Sequence, residues 1–401
     1  MRGLSTVERD TVDIARAAPM LAEVQKWAAV NSGTRNLPGL ATVAGMLAES
    51  FAVLPGELSL IDAAPAETVG VDGTVSHVAH GQHLHLVVRP DAPVRMLFTG
   101  HMDTVYPADH AFQTLRWQDD GSLNGPGVAD MKGGLAVMLA ALRSIEASPL
   151  AAQIGYDVVI NSDEETGSFS SAALLARAAH GKVAALTYEP ALADGTLAGA
   201  RGGTGNFSIV VHGRSAHAGR NPEDGRNALV AAADVAVRLS KVRGPRLAVN
   251  PARIDGGGPN NVVPDLAILR INFRPATLDE ITRAQSHIDS AVAVVAAEHD
   301  VRIEVHGSFN RPPKPIDAGA ARLFDLVKGS GADLGLDIAW KATGGVCDGN
   351  NIAAAGVPVV DTMGVRGGAI HSPDEFMIPD SLAERAALSA VTILRIAEGR
   401  L

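Results

Sequence analysis

Three short apolar runs in the sequence each stop at a side chain that carries a charge or an imidazole. Arg95-Met96-Leu97-Phe98-Thr99-Gly100 stops at His101, Tyr156 to Ser162 stops at Asp163-Glu164-Glu165, and Ala184 to Tyr188 stops at Glu189. Continuous apolar runs of this length read as buried strands. Between the first two, Leu135, Met138, Leu139, Leu142 and Ile145 repeat at helical spacing over Met131 to Glu146. Strands alternating with helices indicate an α/β sheet with parallel members. In open sheets of that kind ligands bind beyond the carboxyl ends of the strands, so His101, Glu164, Glu165 and Glu189 stand where the architecture puts a functional site.

The remaining pattern fills out two units, as a chain of 401 residues is expected to do. Helices are predicted over Thr11 to Ala29 and from about Leu40 to Leu54, and a strand over His83 to Val88. Near Gly202-Gly203 the order changes. It becomes strand (Asn206–His212), helix (Asn227–Lys241), strand (Arg246–Arg253), strand (Asp265–Phe273), helix (Leu278–His299) and strand (Val301–His306). That is the β-α-β-β-α-β order of a ferredoxin-like unit. Arg311-Pro312-Pro313-Lys314-Pro315 reads as a return linker, after which a strand (Val357–Thr362) and a final helix (Ser381–Glu398) resume the first pattern. The expectation is a discontinuous α/β domain, 1–202 and 314–401, with an inserted α+β lid, 203–313.

Composition removes several classes of function. The net charge is −10, with 34 basic and 44 acidic residues and no basic run, which argues against a nucleic-acid surface. No apolar stretch reaches the length of a membrane span. Met1 to Ala18 lacks the apolar core of a signal peptide, so a cytoplasmic location is expected. The single cysteine, Cys347, excludes an internal disulfide framework and a Cys-based zinc site. Any metal here must be held by His and carboxylates. A Gly-x-Ser-x-Gly elbow at a strand end is absent, which disfavours a serine hydrolase; a lone buried Cys347 reads as structural.

Five positions stand out as candidate metal ligands. His101 lies in Gly100-His101-Met102-Asp103, Asp130 in Gly127-Val128-Ala129-Asp130-Met131-Lys132-Gly133-Gly134, and Glu165 in Asp163-Glu164-Glu165-Thr166-Gly167. Glu189 precedes Pro190, and His371 lies in Gly367-Gly368-Ala369-Ile370-His371-Ser372-Pro373-Asp374-Glu375. Imidazole nitrogen and carboxylate oxygen both suit zinc. In this order, over nearly the whole chain, these motifs resemble the M20 family of metallopeptidases, most closely its glutamate carboxypeptidase branch.

The resemblance implies a zinc-exopeptidase-type mixed sheet flanked by helices, and two Zn2+ per subunit, with Mn2+ or Co2+ as possible occupants. It implies that Asp130 bridges the metals, that His101 and Glu189 complete one site and Glu165 and His371 the other, and that a shared hydroxide is the nucleophile. Glu164 would be the general base, and Asp103 would accept the second N–H of His101 and orient the ring. His217, in Gly213-Arg214-Ser215-Ala216-His217-Ala218-Gly219, matches a lid histidine that crosses to the partner's active site in a homodimer. Asn261 and Arg274 match positions that bind the substrate's terminal carboxylate, for which an Arg fork is well shaped; Arg311 is a secondary candidate for that task. The implied reaction is hydrolysis of the C-terminal amide of an N-acyl or peptidyl amino acid.

Other readings stay open at this point. Dipeptidase or aminoacylase activity would use the same residues, and a non-catalytic amino-acid or peptide binder could use the same scaffold. Asp130 could also be a helix N-cap. His77, His80, His83 and His85 have no carboxylate in their sequence context and read as a solvated hairpin.

Overall fold

A computed structural model of the chain describes residues 3–401. Its central sheet has six strands, in the order Glu57–Ile61, His83–Val88, Ile154–Asn161, Val94–His101, Ala184–Thr187 and Val359–Val360. The last four pair in parallel, and the two at the other edge pair antiparallel. Along the central strand Met96 and Phe98 face one core with Leu135, Met138 and Ile393, while Leu97 faces the opposite core with Leu174, Ala178 and Ile352. Apolar cover on both faces is why the run lacks polar alternation. Phe98 meets Tyr156 edge-on, with ring centroids 5.6 Å apart, a pairing that adds about 1 kcal/mol beyond its buried area.

Helices Gly134–Glu146 and Ser381–Ala397 pack on the first face; Ala172–Ala179 and Asp348–Ala354 cover the other. The predicted first helix is two helices, Thr6–Arg16 and Met20–Ala28. Pro19 separates them, because it disfavours helical backbone at Ala18 and has no N–H of its own. The first helix opens with a capping box between Ser5 and Glu8.

Residues 204–311 form the expected β-α-β-β-α-β unit. Its antiparallel strands lie in the order Leu247–Gly256, Leu266–Pro275, Thr204–His212 and Arg302–Arg311. Helices Ala228–Ser240 and Leu278–His299 close a separate core around Phe207, Ile209, Phe273, Ala231 and Ile288. The chain enters and leaves this unit side by side. Thr204 is in register with Arg311, and Arg201 and Lys314 exchange two backbone hydrogen bonds of 2.9 Å. Beneath that seam the buried Asp361 accepts both arms of Arg201, at 2.7 and 3.1 Å, and faces Lys314 Nζ at 3.1 Å. Among the described residues no helix is long and apolar enough to cross a membrane.

The four histidines differ from their expected solvated hairpin. Only His77 lies in a hairpin, Ala66–Val69 with Val75–Val78. His83 and His85 lie on an inner strand of the main sheet, where His83 is buried against Ser162 and Ser170. His85 finds a carboxylate far away in sequence, Asp157, at 2.9 Å. Strand pairing supplies a partner that local sequence context does not show.

Candidate metal centre

The sheet delivers the candidate residues from three neighbouring strand ends. His101 is the last residue of the central strand, level with Asn161 on one neighbour, and Tyr188-Glu189 follows the other. After Asn161 the chain turns sharply. The Asp163 carboxylate accepts from Ser170 N and from the Ser170 and Ser171 hydroxyls, folding the loop back so that Glu164 and Glu165 face His101.

Asp130 arrives on an irregular turn, Val128–Gly133, within which Asp130 and Met131 leave helical geometry. The long helix begins only at Gly134, so Asp130 does not cap it, and the predicted start at Met131 was three residues early. The turn is held instead by Glu375, whose Oε1 accepts from Ala129 N at 3.0 Å and Asp130 N at 3.1 Å. Tyr106 donates to the other oxygen of Glu375 at 2.9 Å. His371 comes from the loop just before Glu375, with left-handed backbone at Ala369 and His371.

Asp130 sits between two imidazoles. Its Oδ1 lies 3.0 Å from His101 Nε2 and its Oδ2 lies 3.2 Å from His371 Nε2. His371 Nε2 is also 3.1 Å from Glu165, and His101 Nε2 is 3.8 Å from Glu189. Potential ligand atoms of His101, Asp130 and Glu165 lie within 4.8 Å of one another, as do those of His101, Glu164 and Glu189. His101, Asp130 and Glu189 are buried, whereas the His371 side chain is 53 % exposed and forms the mouth.

The carboxylates of Asp130, Glu164, Glu165 and Glu189 share this largely buried space with two imidazoles and the Arg311 guanidinium. Burial pushes Glu165 up to about 8, with the Asp130 charge adding to it. Burial likewise raises Glu164 to about 7, against the pull of Arg311, and raises Glu189. Asp130 is held low despite its burial, because His101 and His371 hydrogen-bond to it, and the same contacts push His371 up to about 11. Fully ionised, such a cluster would carry more negative charge than its protein partners neutralise, which is why its glutamates are pushed towards their protonated forms. A pair of divalent cations would supply that charge, and His nitrogen with carboxylate oxygen is a donor set that zinc accepts.

Asp103 acts on two sides. Its backbone oxygen is 3.0 Å from His101 Nδ1, with its carboxylate behind at 3.5 Å, so the main chain rather than the expected side chain makes the closer contact. The carboxylate accepts from Glu164 N and Glu165 N, both at 3.2 Å, and from Thr34 Oγ1 at 2.7 Å. It thereby ties the His101 strand end to the two glutamates.

Of the lid candidates, none of His217, Asn261 and Arg274 makes an ion pair with this cluster among the described residues, although the Arg274 charge is near enough to Arg311 to be repelled by it. His217 is exposed, with Nδ1 accepting from Gly219 N and Arg220 N. Asn261 is its neighbour, its carbonyl accepting from Ala218 N. Arg274 is exposed beside the seam, with Nε on Asn272 Oδ1 at 2.9 Å. Arg311 is different: it is buried and faces Glu164 and Asp348. A cavity of about 260 Å³ adjoins the cluster, with Leu197, Thr343, Cys347 and Ile370 among its walls. Cys347 is buried there, and its sulfur accepts from Gly349 N at a helix start, in keeping with a structural thiol.

The family model for peptidase family M20/M25/M40 matches residues 97–395, which contain every residue of the cluster. The chain belongs to this family. As an M20 peptidase it is a metal-dependent hydrolase of amide bonds. It is 29 % identical to carboxypeptidase G2 of Pseudomonas sp. (strain RS-16) over 314 residues, covering 76 % of this chain and 74 % of that one. It is 28 % identical to a succinyl-diaminopimelate desuccinylase of Psychrobacter sp. (strain PRwf-1), covering 73 % of this chain and 76 % of that one. Among solved structures it shares the fold of aminopeptidase PepT from Bacillus cereus ATCC 10987, with a TM-score of 0.71 and 24 % identity, covering 94 % of this chain and 98 % of that chain. This M20 fold puts Glu375, Asp348 and Arg201 around the cleft, none of which sequence reasoning assigned a role. For Glu375 a signal existed, since it closes the His371 motif.

Proposed function

We propose that this M20 hydrolase uses two zinc ions to cleave the amide that joins an acyl or peptidyl group to an amino acid with a free carboxylate. The observation that carries the two-metal reading is Asp130, each of whose oxygens faces a different imidazole. His101 and Glu189 would complete one site and Glu165 and His371 the other; manganese or cobalt would suit the same donors. Bound zinc would polarise the scissile carbonyl and acidify water.

The chain's own residues do the rest. Glu164 adjoins a ligand and faces His101 from farther off than Asp130 or Glu189 does, which leaves its carboxylate to take a proton from water and pass it to the leaving amine. Asp103 fixes the His101 ring and the Glu164–Glu165 backbone together. Arg274 and Asn261 would receive the substrate's carboxylate, Arg274 through its planar fork. His217, exposed on the inserted unit, would reach the cleft of a second copy and donate to the developing oxyanion. That role rests on a homodimer through the inserted unit, 203–313, set against a catalytic domain of 1–202 and 314–401.

The motifs' resemblance to the glutamate carboxypeptidase branch favours a glutamate-type leaving amino acid, and likeness to carboxypeptidase G2 supports a carboxypeptidase. Likeness to desuccinylases supports a second reading, removal of an acyl group from an amine on the same centre. A panel of acyl-glutamate, acyl-aspartate, acyl-alanine, β-alanyl-histidine and succinyl-diaminopimelate separates them. The expected result is zinc-dependent release of glutamate from its acyl derivative. Cleavage of the succinyl substrate alone would favour the second reading, and no cleavage of any member would count against both.

A further inference from the structure

We infer that Arg311 is a positioning residue that aims Glu164, rather than a ligand for the substrate's carboxylate. This rests on the hydrolase reading above and concerns how its base is held. Arg311 is only 5 % exposed. Its Nη2 lies 2.8 Å from Glu164 Oε1, 2.8 Å from the Glu164 backbone oxygen and 2.8 Å from Ser168 Oγ. One nitrogen thus touches both the carboxylate and the main chain of the base.

The guanidinium is anchored from behind. Asp348 Oδ1 is 3.5 Å from Nη2 and accepts from Ser168 Oγ, while its Oδ2 accepts from Asn161 Nδ2 at 2.7 Å. Asn161 ends the strand that leads into Glu164. Arg311, Ser168, Asp348 and Asn161 therefore close a ring of polar contacts around the Glu164 turn. Nη2 is committed to Glu164 and Ser168, so a substrate carboxylate that took this nitrogen would have to displace Glu164 and leave a buried acid unpaired. Arg274 carries no such load, since it is exposed with a single side-chain partner.

The contact is also shaped for a base. Nη2 approaches Glu164 Oε1 closely but off the hydrogen-bonding line, so Oε1 has no directed donor. A lone pair remains to accept a proton while the charge beside it holds the carboxylate in place.

The origin of Arg311 adds a mechanical link. It is the last residue of Arg302–Arg311, in register with Thr204 at the seam where the chain enters and leaves the inserted unit. The preceding residue, Asn310, donates to Gly167 O at 2.9 Å. Two consecutive seam residues hold the loop 164–168, so the aim of Glu164 depends on how the inserted unit is seated.

The test compares wild type, Arg311→Met and Arg311→Lys, each loaded with zinc, using N-acetyl-glutamate as probe. The readouts are kcat, KM, bound zinc and thermal midpoint. Binding of the probe is measured separately by calorimetry in Glu164→Gln and in Glu164→Gln/Arg311→Met. The expected result for Arg311→Met is a fall in kcat of about 100-fold, the low end for loss of an effective general base. KM and the calorimetric dissociation constant should stay within a factor of about three, well short of the tenfold that 1.4 kcal/mol of lost binding would give. Arg311→Lys, which keeps the charge but not the fork, should recover part of kcat. A rise of tenfold or more in KM and in the dissociation constant, with kcat kept, would overturn the inference in favour of carboxylate binding. Equal loss of zinc and thermal midpoint in both variants, in step with activity, would reduce Arg311 to a structural ion pair and overturn it too. If Arg311→Met does not fold, the Lys variant carries the same split between kcat and KM. A wild type without turnover would count against the hydrolase reading itself, and the calorimetric arm would still decide whether Arg311 contacts the carboxylate.

Discussion

Glu164→Gln is expected to lower turnover by about 10³-fold, within the range of about 10²–10⁴ for a lost general base, while zinc content remains that of the wild type. The expectation follows from what Glu164 does and does not touch. Asp130, Glu165 and Glu189 each lie within 4 Å of a histidine nitrogen, whereas no His–Glu164 contact is that close. Its backbone is fixed by Asp103 and its carboxylate by Arg311, so Gln, nearly the same in volume, keeps the turn. What Gln cannot do is accept a proton at that oxygen. Burial holds Glu164 near 7, the range in which a carboxylate can both take a proton from acidified water and return it to an amine. Steady-state kinetics beside metal analysis check this. Near-normal turnover in the Gln variant would remove Glu164 from the mechanism.

Asp130→Ala is expected to have the larger effect, because among the described residues Asp130 is the carboxylate that lies within 4 Å of both imidazoles. Loss of supporting groups around a metal typically costs 10- to 100-fold in affinity. Loss of a shared first ligand should exceed about 100-fold for each ion, bringing bound zinc below one per chain and activity below detection. The protein should stay folded, because the turn that carries Asp130 is held through its backbone by Glu375 and not by the Asp130 side chain. Metal analysis after dialysis, with a thermal scan of chelator-treated wild type and variant, separates lost ligation from lost structure. Retention of two zinc ions by the Ala variant would show that Asp130 is not shared.

The parts of the site that were legible in the sequence are those that a strand end delivers. His101, Glu164, Glu165 and Glu189 follow continuous apolar runs, and the parallel pairing of those runs brings them to one edge. The inserted unit was legible for a related reason, since its four strands and two helices follow the β-α-β-β-α-β order of a ferredoxin-like unit. What was not legible depends on partners far apart in the chain. Arg311 reads in the sequence as the start of a Pro-rich linker and a secondary candidate for the substrate's carboxylate, yet it meets Glu164 and Asp348 in a buried seam. Arg201, Lys314 and Asp361 converge in the same way. The helix after Asp130 was overextended because apolar spacing marks a helix face but not the irregular turn before it. The break at Pro19 was a local signal, and the apolar periodicity on either side of it masked it.

The central claim is that this M20 hydrolase works through two metal ions held around Asp130. The most direct measurement is a titration of metal-free protein with zinc, followed by hydrolysis of the best substrate from the panel at each addition. The account predicts negligible activity without zinc and a plateau at two equivalents per chain. A plateau at one equivalent, or full activity in chelator with no zinc bound, would contradict it.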